Sequence, residues 1–186
     1  GEILEFDLQK SFKKSKVKYW SFEKFYGNDK FEQNRFNQLL MDSVEMRNVS
    51  DVPVANFLSG GIDSTLIVKL QSEITAQTNT YTVGYEDKKY DESTWAQEVS
   101  NRYSTNHFLD SVSEKEIDAM VSKAIHIFDE PYADPSTVPS YSISKLISQN
   151  YKVAISGDGG DELAAGYLRT HEVLNSKKYN SNLVNR

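Results

Sequence analysis

The sequence contains no cysteine among its 186 residues. Disulfide bonds, thiolate metal sites and a cysteine nucleophile are therefore excluded within this chain. No stretch approaches the ~20 consecutive apolar residues of a membrane-spanning helix. The first ten residues, GEILEFDLQK, also lack the hydrophobic run of a secretory signal. From these absences we expect a cytoplasmic protein that makes no use of a membrane.

Basic residues are also comparatively few, because 21 Lys and Arg face 27 Asp and Glu, giving a net charge of −6. This balance disfavours broad electrostatic binding to nucleic acid or to an anionic membrane, and we expect neither as a partner. Four lysines, Lys13, Lys14, Lys16 and Lys18, form a local basic run. They are typical of a solvated edge strand, with a phosphate patch as the alternative.

The pattern of hydrophobic residues predicts strands that alternate with helices. Residues 1–28 read as extended chain, and later strands are expected at 52–58, 80–85, 106–110 and 152–156. Helices are expected at 30–48, 63–76, 91–102, 113–127 and 138–149, with a last one that ends near residue 169. The residues predicted to face the core are Phe31, Phe36, Leu39, Leu40 and Val44 in the helix at 30–48, and Trp95, Ala96 and Val99 in the helix at 91–102. This order predicts an α/β fold: a doubly wound parallel sheet with helices on both faces.

The segment SGGIDS (59–64) lies between a predicted buried strand and a predicted helix. Two adjacent glycines allow backbone N–H groups to surround an anion, and the helix N-terminus adds partial positive charge. Ser59 and Ser64 can donate hydroxyls to phosphate oxygens, and Asp63 can hold Mg²⁺ against them. The alternative is an ordinary strand–helix turn in which Asp63 or Ser64 caps the helix.

The segment SGDGGDE (156–162) follows another predicted buried strand. Its carboxylates would repel phosphate unless a metal ion lies between them. Asp161 is therefore predicted to be a second metal ligand, opposite Asp63. A calcium loop or a merely acidic turn is the alternative, although the spacing does not match an EF-hand.

Four motifs occur in the order found in the synthetase domain of glutamine-dependent asparagine synthetases, and residues 29–170 resemble that domain. They are SDVPVANFLSGGIDS (50–64), TYTVGYEDKKYDESTWAQEVS (80–100), FDEPYADPSTVPSY (128–141) and SGDGGDELAAGYLR (156–169). SGGIDS alone resembles the pyrophosphate loop of the wider ATP pyrophosphatase superfamily, which also includes synthetases for GMP, NAD and argininosuccinate. The resemblance implies the adenine nucleotide α-hydrolase-like fold of that superfamily.

The resemblance implies that ATP adenylates aspartate to β-aspartyl-AMP with release of pyrophosphate, and that ammonia then gives asparagine and AMP. The implied pyrophosphate contacts are Ser59, Gly60, Gly61 and Ser64, and the implied Mg²⁺ ligands are Asp63 and Asp161. The implied contacts to adenine and ribose are Leu58, Thr82, Val83 and Gly84. Ser156 and Gly157 would contact the AMP portion. Asp158, where many relatives carry Glu, would orient ammonia or take its proton.

The resemblance also implies an organisation in three parts. Residues 1–28 resemble the strand and linker that leave a glutaminase domain, 29–170 the synthetase core, and 171–186 the start of a longer C-terminal region. We therefore expect a fragment, weakly active or inactive, with its glutaminase outside the chain and a homo-oligomer as one possible assembly. Two alternatives stay open: an amidotransferase acting on uronic acids of a surface polysaccharide, and an inactive nucleotide-binding fragment.

Several further residues keep two interpretations. Asp91 either faces the phosphates or caps the next helix, and Glu130 and Asp134 either approach the amino-acid substrate or make local loop hydrogen bonds. Arg169 is expected at an exposed helix end. The three histidines show no paired spacing for a metal or for acid–base chemistry, so structural roles are expected for His107, His126 and His171.

Overall fold

The computed structural model describes residues 1–9, 13–25, 27, 30–127 and 134–175. Contacts within the chain divide it into two units, Gly1–Gln38 and Leu39–Arg186. The three-part organisation expected from the sequence stays a prediction. Among the described residues no helix is long and apolar enough to cross a membrane.

The first unit contains an antiparallel hairpin of β1 (Glu2–Asp7) and β2 (Lys13–Lys18), followed by a short 3-10 helix at Phe22–Phe25. The basic run lies on this exposed hairpin. Lys16 forms an ion pair with Glu2 at 2.8 Å, and Lys18 forms one with Glu23 at 3.5 Å. These pairs support the interpretation of the run as a solvated strand rather than a phosphate patch.

The remaining elements alternate as the sequence predicts. In chain order they are α1 (Gln33–Arg47), β3 (Val54–Phe57), α2 (Ile62–Ile74), β4 (Asn79–Tyr85), α3 (Ser93–Tyr103), β5 (Asn106–Val112), α4 (Glu114–Ile125), α5 (Thr137–Ser148), β6 (Val153–Ile155), α6 (Gly160–Ala164) and α7 (Leu168–Asn175). Four strands form one parallel sheet in the order β5-β4-β3-β6. The two innermost strands, β3 and β4, consist largely of buried residues, as parallel sheets covered on both faces require.

Two apolar clusters show that helices cover both faces of the sheet. On one face Ala55 and Tyr81 pack against Ile147 of α5. A second cluster joins Leu58 at the end of β3 to Val68 of α2 and Ala96 of α3. The predicted doubly wound α/β fold is therefore confirmed. Because each strand of such a sheet runs the same way, the loops that follow β3, β4 and β6 all leave from one edge.

Several predicted core positions are wrong. Trp95 is 63 % exposed, because Ala96 and Ser100 form the buried face of α3 and Trp95 lies about 100° away around the helix. Phe31, Phe36 and Leu39 are also exposed, although Val44 near the end of α1 is buried. The rings of Phe31 and Phe36 pack against each other, with centroids 5.6 Å apart.

The single helix predicted to end near residue 169 is also wrong, because the structure has two helices, α6 and α7. Ala165 adopts a left-handed conformation, with φ of 56°, and ends α6. The N–H of Gly166 then donates to the carbonyl of Asp161 at 3.0 Å. This left-handed turn is a common way to end a helix, but glycine normally occupies the position that Ala165 takes here.

Candidate functional site

The segment SGGIDS forms the connection between β3 and α2. The residue before it, Leu58, is buried, and both of its backbone polar groups bind β4. Its N–H donates to the carbonyl of Tyr81 at 2.9 Å, and its carbonyl accepts the Thr82 hydroxyl. The start of the loop therefore has a fixed position relative to two strands.

The hydroxyls of Ser59 and Ser64 form hydrogen bonds within the loop. The N–H of Ser59 donates to Oγ of Ser64 at 3.2 Å, and the two hydroxyl oxygens lie 3.0 Å apart. The N–H of Gly61 donates to Oγ of Ser59 at 3.1 Å, and Ser64 donates to the carbonyl of Gly61 at 3.2 Å. Ser64 is only 8 % exposed, so its hydroxyl stabilises the loop in addition to any contact it makes with a ligand.

The N-terminus of α2 has the chemistry that an anion requires. Gly61 occupies the N-cap position with extended backbone angles, and no side chain caps the helix there. The alternative of Asp63 or Ser64 as the helix cap is therefore not what the structure shows. The start of this 13-residue helix therefore has no side-chain cap and carries the partial positive charge of the helix dipole, which suits a polyphosphate.

Position 60 requires glycine, both because of its backbone conformation and because of the atoms around it. Its φ is +88°, a left-handed conformation that glycine adopts at little cost. A Cβ on Gly60 would lie 2.6 Å from Cβ of Trp95 and 2.7 Å from the backbone nitrogen of Ala96. The loop therefore packs directly on the first turn of α3.

The second glycine segment lies against the first, because β6 pairs with β3 and both loops leave the same edge of the sheet. A Cβ on Gly157 would lie 2.8 Å from the backbone nitrogen of Ser64 and 3.0 Å from the carbonyl carbon of Asp63. A Cβ on Gly160 would lie 2.5 Å from Oδ2 of Asp63. The structure thus brings the two motifs together around the Asp63 carboxylate.

The other two predicted carboxylates have different surroundings. Asp158 is exposed and accepts the Ser156 hydroxyl at 2.9 Å. The side chain of Asp161 lies against Gly166, at the turn after α6. Within the described part of the chain, no group of three or more His, Asp or Glu residues could hold a metal. The pair Asp63 and Asp161 stays a prediction, and two carboxylates completed by phosphate oxygens are a common donor set for Mg²⁺.

A cavity of about 680 Å³ opens beside the two loops, within the usual size of a small-molecule site. Its apolar wall lies between one face of the sheet and the helices α4 and α5, and consists of Phe57, Tyr81, Val83, Ile117, Val138 and Ile143. Ser59 and Asp158 line it where it meets the loops. Its remaining lining includes four acidic residues: Glu86, Asp87, Glu92 and Glu114.

Of the residues predicted to contact adenine and ribose, Leu58, Thr82 and Val83 line this cavity. Gly84 instead lies against Asp91, whose Oδ1 would be 3.2 Å from a Cβ on that glycine. The wall residues Val138 and Ile143 of α5 were not predicted from the sequence. Their helix was predicted, but no local pattern indicates which strands a helix will cover.

Two of the remaining candidates, Asp134 and Arg169, make local contacts. Asp134 accepts the backbone N–H of Ser136 at 2.8 Å, and hydrogen bonds from Ser136 hold the pKa of that carboxyl below its usual value. The guanidinium of Arg169 lies over the Tyr167 ring, 4.5 Å from its centroid. Glu130 lies outside the described residues. His126 and His171 are exposed.

The structural role expected for His107 leads to a prediction about pH. Nδ1 of this partly buried ring lies 2.9 Å from the Thr80 hydroxyl, and burial lowers its pKa below the ordinary 6.5. Because the folded state disfavours the protonated ring, His107 stabilises the fold above pH 6.5. That contribution is lost as the pH falls through the folded-state pKa. Between neutral and mildly acidic pH, the free energy of unfolding measured in urea should therefore fall less in His107→Asn than in wild type. If it falls as much in His107→Asn as in the exposed-site control His126→Asn, the prediction is contradicted.

This chain is similar to known proteins both in sequence and in fold. The sequence family described as asparagine synthase matches residues 35–184. A putative glutamine-hydrolysing asparagine synthetase of Methanocaldococcus jannaschii is 36 % identical over 90 % of this chain and 33 % of its own length. Asparagine synthetase B of Escherichia coli is 30 % identical over 83 % of this chain and 31 % of its own length. The chain therefore spans about a third of these relatives.

Two solved structures share the fold at low sequence identity. NMN synthetase from Francisella tularensis has a TM-score of 0.53 and 17 % identity, over 74 % of this chain and 59 % of its own. An ammonia-dependent NAD synthetase from Campylobacter jejuni has a TM-score of 0.52 and 14 % identity, over 74 % of this chain and 61 % of its own. These likenesses show the fold, while the family match covers most of the sequence. The chain belongs to the asparagine synthase family.

Proposed function

We propose that this chain is the nucleotide-binding core of an ATP-dependent amidoligase that converts aspartate to asparagine. One observation carries the proposal: two glycine segments of a family member meet around one carboxylate, beside an uncapped helix N-terminus and a cavity of nucleotide size. A polyphosphate would lie on the SGGIDS loop, and adenine would enter the apolar part of the cavity near Leu58 and Val83.

The proposed reaction has two transfers. An oxygen of the aspartate side-chain carboxylate attacks the α-phosphorus of ATP, and pyrophosphate leaves toward Ser59, Gly61 and the start of α2. Ammonia then attacks the acyl carbon, AMP leaves past Ser156 and Gly157, and Asp158 accepts the proton that ammonia loses. A bound Mg²⁺ would neutralise charge on the leaving pyrophosphate. In this proposal Asp63 and Asp161 are its protein ligands.

The ammonia must come from elsewhere in this proposal. The relatives are named as glutamine-hydrolysing, but these 186 residues contain no cysteine that could act as a thiol nucleophile on glutamine. We propose that a glutaminase domain outside these residues supplies it.

Calorimetric titration with Mg·ATP tests the nucleotide site directly. We expect wild-type protein to bind Mg·ATP, and Asp63→Ala to bind it about 10–100-fold more weakly, because a metal ligand is lost. Glu116→Ala, which changes an exposed carboxylate at the start of α4, is the matched control and should bind as the wild type does. Tight binding that is unchanged in Asp63→Ala would contradict the metal assignment.

Pyrophosphate release identifies the acceptor. With ATP and ammonium present, we expect release by the full-length protein to depend on aspartate. Release that depends only on a uronic acid would contradict asparagine synthesis, but it would not contradict the proposed nucleotide site.

A further inference from the structure

Asp91 lies in the connection between β4 and α3 and joins the two ends of that connection. Its Oδ1 accepts the backbone N–H of Ser93 at 3.2 Å and that of Tyr85 at 3.4 Å. Its Oδ2 accepts Nζ of Lys88 at 3.1 Å. The Asp91 side chain is 6 % exposed and that of Lys88 is 87 % exposed, so the backbone bonds are the shielded part of this arrangement.

The strand makes room for this carboxylate. A Cβ on Gly84 would lie 3.2 Å from Oδ1 of Asp91, a tight contact, and 3.5 Å from Cβ of Ser93, an ordinary van der Waals contact. Hydrogen bonds from Ser93, assisted by those from Lys88 and the Tyr85 backbone, lower the pKa of Asp91 to about 2. The side chain is therefore an ionised acceptor at neutral pH, with both ends of the connection bound to it.

The helix that Asp91 holds forms one wall of the glycine loop. Ala96, in the first turn of α3, is fully buried against Leu58 and Val68. The backbone of Trp95 and Ala96 lies so close to Gly60 that no side chain would fit between them. A shift of this first turn would therefore move Gly60 or open a gap beside it.

We propose that Asp91 is a positioning residue for the SGGIDS loop, acting through the first turn of α3. By binding the end of β4 and the start of α3 at once, its carboxylate sets the place of Trp95 and Ala96 and hence the shape of the loop at Gly60. This inference rests on the proposed function, because the loop is taken to hold the phosphates of ATP. It differs from a simple helix cap, whose effect would stay within α3.

The test compares Asp91→Ala and Asp91→Asn with Glu116→Ala. Glu116 is a suitable control because its carboxylate also binds backbone at a helix start, accepting the N–H of Ser113 at 2.9 Å, but on α4. We expect Asp91→Ala to weaken Mg·ATP binding about tenfold. Asparagine retains the oxygen that accepts from Ser93, so Asp91→Asn should stay within about threefold of wild type. A loss in Asp91→Asn as large as in Asp91→Ala would overturn the proposal.

A second measurement is independent of nucleotide. Amide hydrogen exchange in residues 59–64 should be faster in Asp91→Ala than in wild type and unchanged in Glu116→Ala. If wild-type protein does not bind Mg·ATP, the proposed function fails, and this exchange measurement still decides the positioning role. Unchanged exchange in residues 59–64, or an equal rise in both alanine variants, would overturn it.

Discussion

Replacement of Gly60 by alanine is expected to destabilise the fold by about 2–5 kcal/mol and to abolish Mg·ATP binding. A non-glycine residue in the left-handed region costs roughly 1–2 kcal/mol, and Gly60 has φ of +88°. The added methyl group would also meet the backbone of α3, at 2.7 Å from the nitrogen of Ala96. Overpacking of this kind costs about 1–3 kcal/mol more, because backbone must move. Urea unfolding and calorimetric titration with Mg·ATP measure the two effects.

Gly159 offers a matched control for this substitution. Its φ is +94°, close to that of Gly60, but a Cβ there would find no atom within 4 Å. Gly159→Ala should therefore show only the conformational cost of about 1–2 kcal/mol. An equal loss of stability in the two variants would mean that the close approach of Gly60 to α3 contributes nothing.

Replacement of Gly160 by alanine should also cause a large loss of Mg·ATP affinity, but with little change in stability. The added Cβ would meet the carboxylate of Asp63, the mobile end of a side chain, so the carboxylate can turn away without a shift of backbone. We expect a stability change within about 0.5 kcal/mol and a loss of affinity of about 10–100-fold, as for a displaced metal ligand. The same titrations without Mg²⁺ should show a much smaller difference.

A double-mutant cycle with Asp63→Ala tests the cause of that loss. Once the carboxylate is removed, Gly160→Ala has nothing left to displace, so the two effects on affinity should not add. Full additivity would show that Gly160 affects the site by another route. Gly157→Ala is a useful comparison, because its Cβ would meet the backbone nitrogen of Ser64 at 2.8 Å and should reduce stability as well.

The local sequence pattern is sufficient to predict most of the strands and helices. Every predicted strand and helix in residues 30–127 and 137–156 is present, with ends shifted by at most a few residues. Buried apolar runs and helical spacing carry this information locally. The prediction of one continuous last helix was wrong because Ala165 ends it in a left-handed turn, a conformation that an alanine in the sequence does not indicate.

The exposed Trp95 shows where local pattern misleads. Hydrophobic character predicted that Trp95 faces the core together with Ala96, but the buried residues of α3 are the small ones, Ala96 and Ser100. Close packing of α3 on the glycine loop requires small side chains, so the largest residue of that turn points outward. The same holds at the start of α1, where Phe31, just before the helix, and Phe36, within it, pack against each other and are exposed.

The sequence by itself determined the alternation of strands and helices, the positions of the two glycine segments at strand ends, and the absence of cysteine chemistry in these residues. Each depends on residue types and on short-range spacing. Only the tertiary structure decided that Gly157 and Gly160 lie against Asp63, that α3 is the wall behind Gly60, and that α5 closes the cavity over β4. Those contacts join residues far apart in the chain. They depend on the order in which strands pair and on which face each helix covers, and no local pattern encodes either.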